Sequence, residues 1–144
     1  IVTGILLFLS DRVKNPVRTE AQMNLLDGIV IGVIQGIAVL PGISRSGSTI
    51  TFGLFRGLEG ETAARFSFLL SIPAIAGAAI LEARHAEAVP PGEMTVYAAG
   101  ALAAALVAYL TLKFLFFVVR KRNLRFFAYY CWIVGATVLA LNLR

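Results

Sequence analysis

The stretch Pro41–Thr49 reads PGISRSGST and sets one arginine, three serines and a threonine into a sequence that is apolar on both sides. Pro41-Gly42 is a helix-stopping pair. Before it runs Met23–Leu40, about 18 residues long and marginal for crossing a bilayer. After it runs Thr49–Leu58, whose roughly ten residues rise about 15 Å as a helix against a hydrocarbon core of about 30 Å. That second piece cannot cross. Two abutting helices with a polar turn between them read as a re-entrant hairpin over residues 23–58. Non-helical backbone is tolerated at such depth only where protein buries it or water reaches it.

Outward from this turn the composition is that of a membrane protein. Hydrophobic residues make up 58% of the chain and charged ones 15%, with a mean hydropathy of +0.82; soluble domains run nearer 45–50% and about 25%. In water this excess would expose large apolar patches. The net charge of +5 and pI near 9.9 do not indicate nucleic acid, because the basic residues sit between apolar runs and form no stripe along one helix face. A single cysteine, Cys131, leaves no internal disulfide and no cysteine-based metal site. The chain opens at Ile1 inside the apolar run IVTGILLFL, which lacks the basic flank and cleavage site of a signal peptide. Residues 1–9 are read as the end of a preceding helix, and the 144 residues as the C-terminal part of a longer protein.

Residues 61–83, 94–119 and 124–143 are each long and apolar enough to span. The expected fold is an all-α integral membrane protein, a single membrane domain over residues 1–144 built from the hairpin and three transmembrane helices. Pro73 and Gly77 mark a kink in the first span. Small residues recur at Gly28, Gly32 and Gly36, and again at Gly100, Ala104 and Ala108, a spacing that lets another helix come close. The loops at 10–22, 56–65 and 120–125 hold most of the lysine and arginine, against Arg84 in the loop opposite. This asymmetry puts the first group in the cytoplasm and points the hairpin tip toward the outer leaflet. Glu59 and Glu61 suit a helix start, and Arg56 and Arg65 suit snorkelling to headgroups. Tyr129, Tyr130 and Trp132 suit packing or interfacial anchoring as well as substrate contact. His85 reads as a solvated loop residue.

Arg45 is the residue with chemistry to explain. An arginine near mid-membrane costs about 2.5–3.5 kcal/mol on insertion scales, and usually faces a cavity and a counter-charge. No carboxylate lies in the turn, whereas Ser44, Ser46, Ser48 and Thr49 offer hydroxyls, and Gly42 and Gly47 offer backbone freedom. Donors without a resident anion point to an anionic ligand. Phosphate fits, because a guanidinium fork takes two oxygens and a helix beginning near Gly47 adds amide groups and its dipole. Glycine at 47 would let the backbone approach an oxygen closely. Gln35 is either a further donor to the site or a bond between helices. The structural alternative pairs Arg45 with a glutamate from outside these residues and the hydroxyls with neighbouring carbonyls.

At these residues the sequence resembles a known family. IQGIAVLPGISRSGSTI, followed by ETAARFSFLLSIPAIAGA, is similar to the undecaprenyl-diphosphate phosphatase family, also called the bacitracin-resistance family. The resemblance implies a multi-pass enzyme of the bacterial plasma membrane. Its members hydrolyse undecaprenyl diphosphate to undecaprenyl phosphate and phosphate, recycling the carrier lipid of cell-wall synthesis. It implies two inverted repeats, each a re-entrant hairpin with three spanning helices, of which this chain looks like the second. The family's Glu-rich segment and the Ser/Thr-Gly-His turn after it do not occur here. The general acid/base, a nucleophile and the carboxylates for a divalent cation, Mg²⁺ or Ca²⁺, are therefore expected from the N-terminal half, with no metal ligand in this chain. The 144 residues alone are expected to be inactive.

On this reading Arg45, Ser44 and Thr49 are the catalytic residues of the chain, and Ser46, Gly47, Ser48 and Gln35 contact the diphosphate. The site opens to the periplasm, and the polyprenyl tail lies along the apolar helices. The implied partners are the lipid substrate, membrane lipid, the N-terminal half and a second copy in a homodimer, with no nucleic acid. A polyprenyl-phosphate transporter or flippase is the competing reading, because inverted repeats with broken helices are a transporter pattern. A lipid phosphatase of the acid-phosphatase type would need a histidine in the arginine's own motif, and none follows before His85.

Overall fold

The structure is a computed structural model that describes residues 1–13, 16–84, 92–121 and 124–142. His85, Lys14, Arg122 and Arg144 lie outside the described residues. Among those described the chain is helical and forms no named strand, with one bridge between Arg18 and Leu58. The helices are α1 (Val2–Ser10), α2 (Leu25–Ile37), α3 (Arg45–Phe55), α4 (Gly60–Ala83), α5 (Met94–Arg120) and α6 (Arg125–Asn142).

Local chemistry sets the ends of the two short helices. At α2, the Asn24 side chain accepts from the Asp27 amide at 3.0 Å and the Asp27 carboxylate accepts from the Asn24 amide at 3.0 Å, a reciprocal cap. After Ile37 the chain turns through Gly42, whose φ of +86° suits only a residue without Cβ. Helix α3 starts at Arg45, two residues before the expected Gly47, because Ser44 caps it: its Oγ accepts from the Gly47 amide at 3.2 Å. It ends at Gly57, φ +80°, the left-handed position that commonly closes a helix.

Helix α3 is the hub. It packs on α1, α2 and α4, while α1 also packs on α6 and α4 on α5. Contact with α4 is close, since a Cβ on Gly53 would lie 2.8 Å from that of Ala63. Ile31, Ile50, Leu54, Leu58, Ala63 and Val119 form the centre of the buried cluster. Phe8, Tyr129 and Trp132 stack between α1 and α6, with ring centroids 5.5–6.5 Å apart, so two of the three aromatics in question serve packing.

Beneath the hub lies a charge cluster that the sequence did not announce. The Asp27 carboxylate is fully buried and takes the Arg18 guanidinium at 2.7 and 3.3 Å and the Arg56 Nε at 2.7 Å. Arg18 also donates to the carbonyls of Arg56 and Gln22, each at 2.7 Å. The start of α2, the end of α3 and the preceding loop are thus clasped together. Arg56 is an ion-pair partner here and does not snorkel freely. Arg65 bonds Glu61 at 2.9 Å and Arg120 bonds it at 2.8 and 2.9 Å, so Glu61 ties α4 to α5 in addition to its place at a helix start.

Most of the remaining surface is apolar. Helices α4 and α5, of 24 and 27 residues, rise about 36 and 40 Å and are long enough to cross a membrane. Just 6% of each spanning window is buried, the reverse of a soluble core helix. With 18 residues, α6 rises about 27 Å. Pro73 sits inside α4, which continues past it. The stripe Gly28, Gly32, Gly36 has nothing within 4 Å of where a Cβ would stand, and the same holds at Gly100. The close helix neighbour expected there is not among the described residues.

Candidate functional site

The turn Ala38–Ser44 hands Arg45 to the first position of α3. It is pinned to α1, since the Ser44 amide donates to the Thr3 hydroxyl at 3.0 Å. Arg45 is half-buried, and among the described residues its guanidinium has neither ion pair nor hydrogen bond. The acids closest in role, Asp27 and Glu61, are committed to other arginines. Arg45 borders an open groove of about 290 Å³ shared with Ser46, Ser67, Phe68, Ser71 and Ile75. A cation, the Ser46 hydroxyl and a helix N-terminus meet there without a carboxylate, an arrangement that favours an anion, while the Ser71 Oγ donates to the Phe68 carbonyl at 2.7 Å.

The other residues singled out in the sequence divide into two groups. Ser46 is exposed and lines the groove. Ser44 is exposed too, with its Oγ engaged as the cap. Thr49 is buried, its hydroxyl 2.9 Å from the Arg45 carbonyl, 3.2 Å from that of Ser46 and 2.6 Å from the Ser67 Oγ. With one proton to give, Thr49 donates to its own helix and receives from Ser67, which locks the first turn of α3 onto α4. Ser48 is buried, and its Oγ has no hydrogen-bond partner among the described residues. The space over Gly47 is filled from within, because a Cβ there would meet the Thr3 methyl at 3.0 Å and the Ser44 Oγ at 3.1 Å. Gln35 donates from Nε2 to the Leu70 carbonyl at 3.2 Å, a bond between α2 and α4, and its Oε1 is buried with no hydrogen-bond partner among the described residues.

Sequence reasoning passed over Ser67 and Ser71 as site residues. The available signal was their four-residue spacing on α4, which stacks them on one face. Among the described residues no group of three or more His, Cys, Asp and Glu could hold a metal ion. The groove's donors suit an anion and do not fit a divalent cation.

Comparison with known proteins gives a consistent picture. The family described as bacitracin resistance protein BacA matches residues 1–137. An undecaprenyl-diphosphatase of Syntrophotalea carbinolica is 45% identical over 142 residues, 99% of this chain and 54% of that protein. One of Carboxydothermus hydrogenoformans is 46% identical over 146 residues, 99% of this chain and 56% of its own length. One of Methanothermobacter thermautotrophicus is 44% identical over 146 residues, with 99% and 81% covered. The chain spans about half the length of the first two of these curated relatives.

Proposed function

Since the chain belongs to the bacitracin resistance protein BacA family, we propose that it supplies the phosphate-binding half of a membrane phosphatase. The reaction is hydrolysis of undecaprenyl diphosphate to undecaprenyl phosphate and phosphate. The observation that carries this reading is Arg45, a guanidinium without a protein counter-charge among the described residues, at the capped start of α3 in a groove bordered by Ser46, Ser67 and Ser71.

Water attacks the terminal phosphorus, and the bond to the bridging oxygen breaks, leaving the lipid monophosphate. Arg45 holds two equatorial oxygens in its fork as charge spreads over them. Ser46 and the free amides of the first turn of α3 orient the group. Ser44 and Thr49 act through the helix, one by capping it and one by fixing it to α4. The residues described do not fit Mg²⁺ or Ca²⁺, so carboxylates for such an ion belong to another part of the protein. A base for the attacking water belongs there as well.

In the membrane, α2 and α3 form a re-entrant hairpin, in support of which stand their lengths of 13 and 11 residues, about 20 and 17 Å. With α4, α5 and α6 they make one of two inverted repeats in a multi-pass protein of the bacterial plasma membrane. The groove faces the periplasm, and an N-terminal half covers the open face of α2. A homodimer of the whole protein is compatible with the outward apolar surface. Phosphate release from a C55 or C15 polyprenyl diphosphate by the full-length protein tests the function. Release at background, unchanged by Arg45→Ala, would remove it and leave the lipid-transport reading.

A further inference from the structure

The start of α3 has a second face. Ser44, Ser46 and Gly47 also border a groove of about 230 Å³, and Ser46 borders both this groove and that of Arg45. Past these polar residues the second groove is apolar, with Leu7 of α1, Ile50 of α3, Leu115 of α5, and Phe127 and Cys131 of α6 among its walls. Two recesses that share one serine, one holding the arginine and the other walled mostly by apolar side chains, suit the two ends of an amphiphile. We infer that the second groove holds the first prenyl units of the lipid diphosphate, whose head sits at Arg45 and whose chain passes Ser46 toward Cys131.

This rests on the substrate class proposed above and adds where the chain goes. The first prenyl unit is joined to the diphosphate by one ester oxygen, so it must lie against an apolar surface that borders the head site. Phe68 and Ile75 of α4 also border the Arg45 groove, but they are two apolar side chains, whereas the groove beside Ser46 has apolar walls from α1, α3, α5 and α6. Its walls are mainly branched and aromatic side chains, which gain by packing methyl-branched prenyl carbons and removing their apolar surface from water. Because the groove is small, it takes only the head-proximal units, and the rest of the tail lies in lipid. Chain length beyond the first units should then matter little to affinity.

The test uses the full-length protein in nanodiscs and a C15 diphosphate carrying a photoreactive diazirine on its second prenyl unit. Irradiation, digestion and mass spectrometry should find adducts on α5 near Leu115 and on α6 near Phe127 and Cys131. Excess unlabelled C55 diphosphate should suppress them, and Arg45→Ala should lower them at least tenfold. In parallel, Cys131→Trp, which fills the groove, should raise KM for C15 and C55 diphosphates alike by at least tenfold with kcat changed less than threefold. Leu102→Trp, on an exposed face of α5, should leave KM unchanged. Adducts confined to outward-facing residues, or adducts that survive competition as a bilayer lipid's groove would allow, overturn the inference. So does an unchanged KM in folded Cys131→Trp. If the wild type releases no phosphate, the reaction reading fails by itself, and competition of the label still decides the groove.

Discussion

The fork of Arg45 matters more than its charge. Lysine at this position keeps +1 but offers a point donor in place of two parallel N–H bonds. A charge-assisted hydrogen bond contributes roughly 1.5–3 kcal/mol, so Arg45→Lys should lower kcat/KM about 10- to 150-fold in phosphate-release assays. Wild-type turnover would mean the fork is not used. Thr49 makes a different prediction. Its hydroxyl is spent on the Arg45 and Ser46 carbonyls and on Ser67, so Thr49→Val orphans the buried Ser67 Oγ and should cost about 1–3 kcal/mol of stability. Thr49→Ser should restore most of it, as read by thermal melting in detergent. Arg45 was legible in the sequence because an arginine is out of place in an apolar run. The role of Thr49 was not, because the direction of its hydroxyl depends on where α3 begins, and a cap two residues earlier than expected rotates every side chain in the first turns.

The two short helices need something to hold their open ends, and the clasp around Asp27 does so. Its carboxylate is fully buried, while Arg18 and Arg56 keep 28% and 35% of their side-chain surface in contact with solvent. Removing the shared acid leaves two cations facing each other. Breaking a buried pair costs roughly 3–5 kcal/mol, and the partial exposure of the arginines argues for the lower end. Asp27→Ala should therefore destabilise the protein by about 3 kcal/mol and reduce turnover indirectly, through looser placement of the turn. Arg56→Gln should cost less, because Arg18 still satisfies the carboxylate. Equal melting temperatures for Asp27→Ala and wild type would rule out the clasp. Hydropathy and helix-stopping pairs made the helical character and the long apolar segments readable. The clasp was unreadable because Asp27 stands alone in LLDGIV and its partners lie nine and twenty-nine residues away. Local patterns carry no information at that range.

At the scale of the molecule the exposed surface is largely apolar. Spans that are only 6% buried can face lipid, but the glycine stripe on α2 has a more specific use. Small residues four apart help in a membrane only when another backbone lies close over them, and here no described residue beyond the helix's own backbone stands within 4 Å of where a Cβ on Gly28, Gly32 or Gly36 would lie. A side chain at Gly32 would meet no atom of the described chain, so Gly32→Trp should leave its own packing and helix content as they are. If an N-terminal half covers this face, the same substitution must keep that half away. The expected result is a two-part experiment. The 144-residue chain alone releases no phosphate from a C15 diphosphate, co-expression with a separately encoded N-terminal half restores release, and Gly32→Trp abolishes both restoration and co-purification while circular dichroism is unchanged. Restoration that is indifferent to Gly32→Trp would place the covering half elsewhere. Release by the chain on its own would mean that Arg45 and its hydroxyls need no second half for turnover.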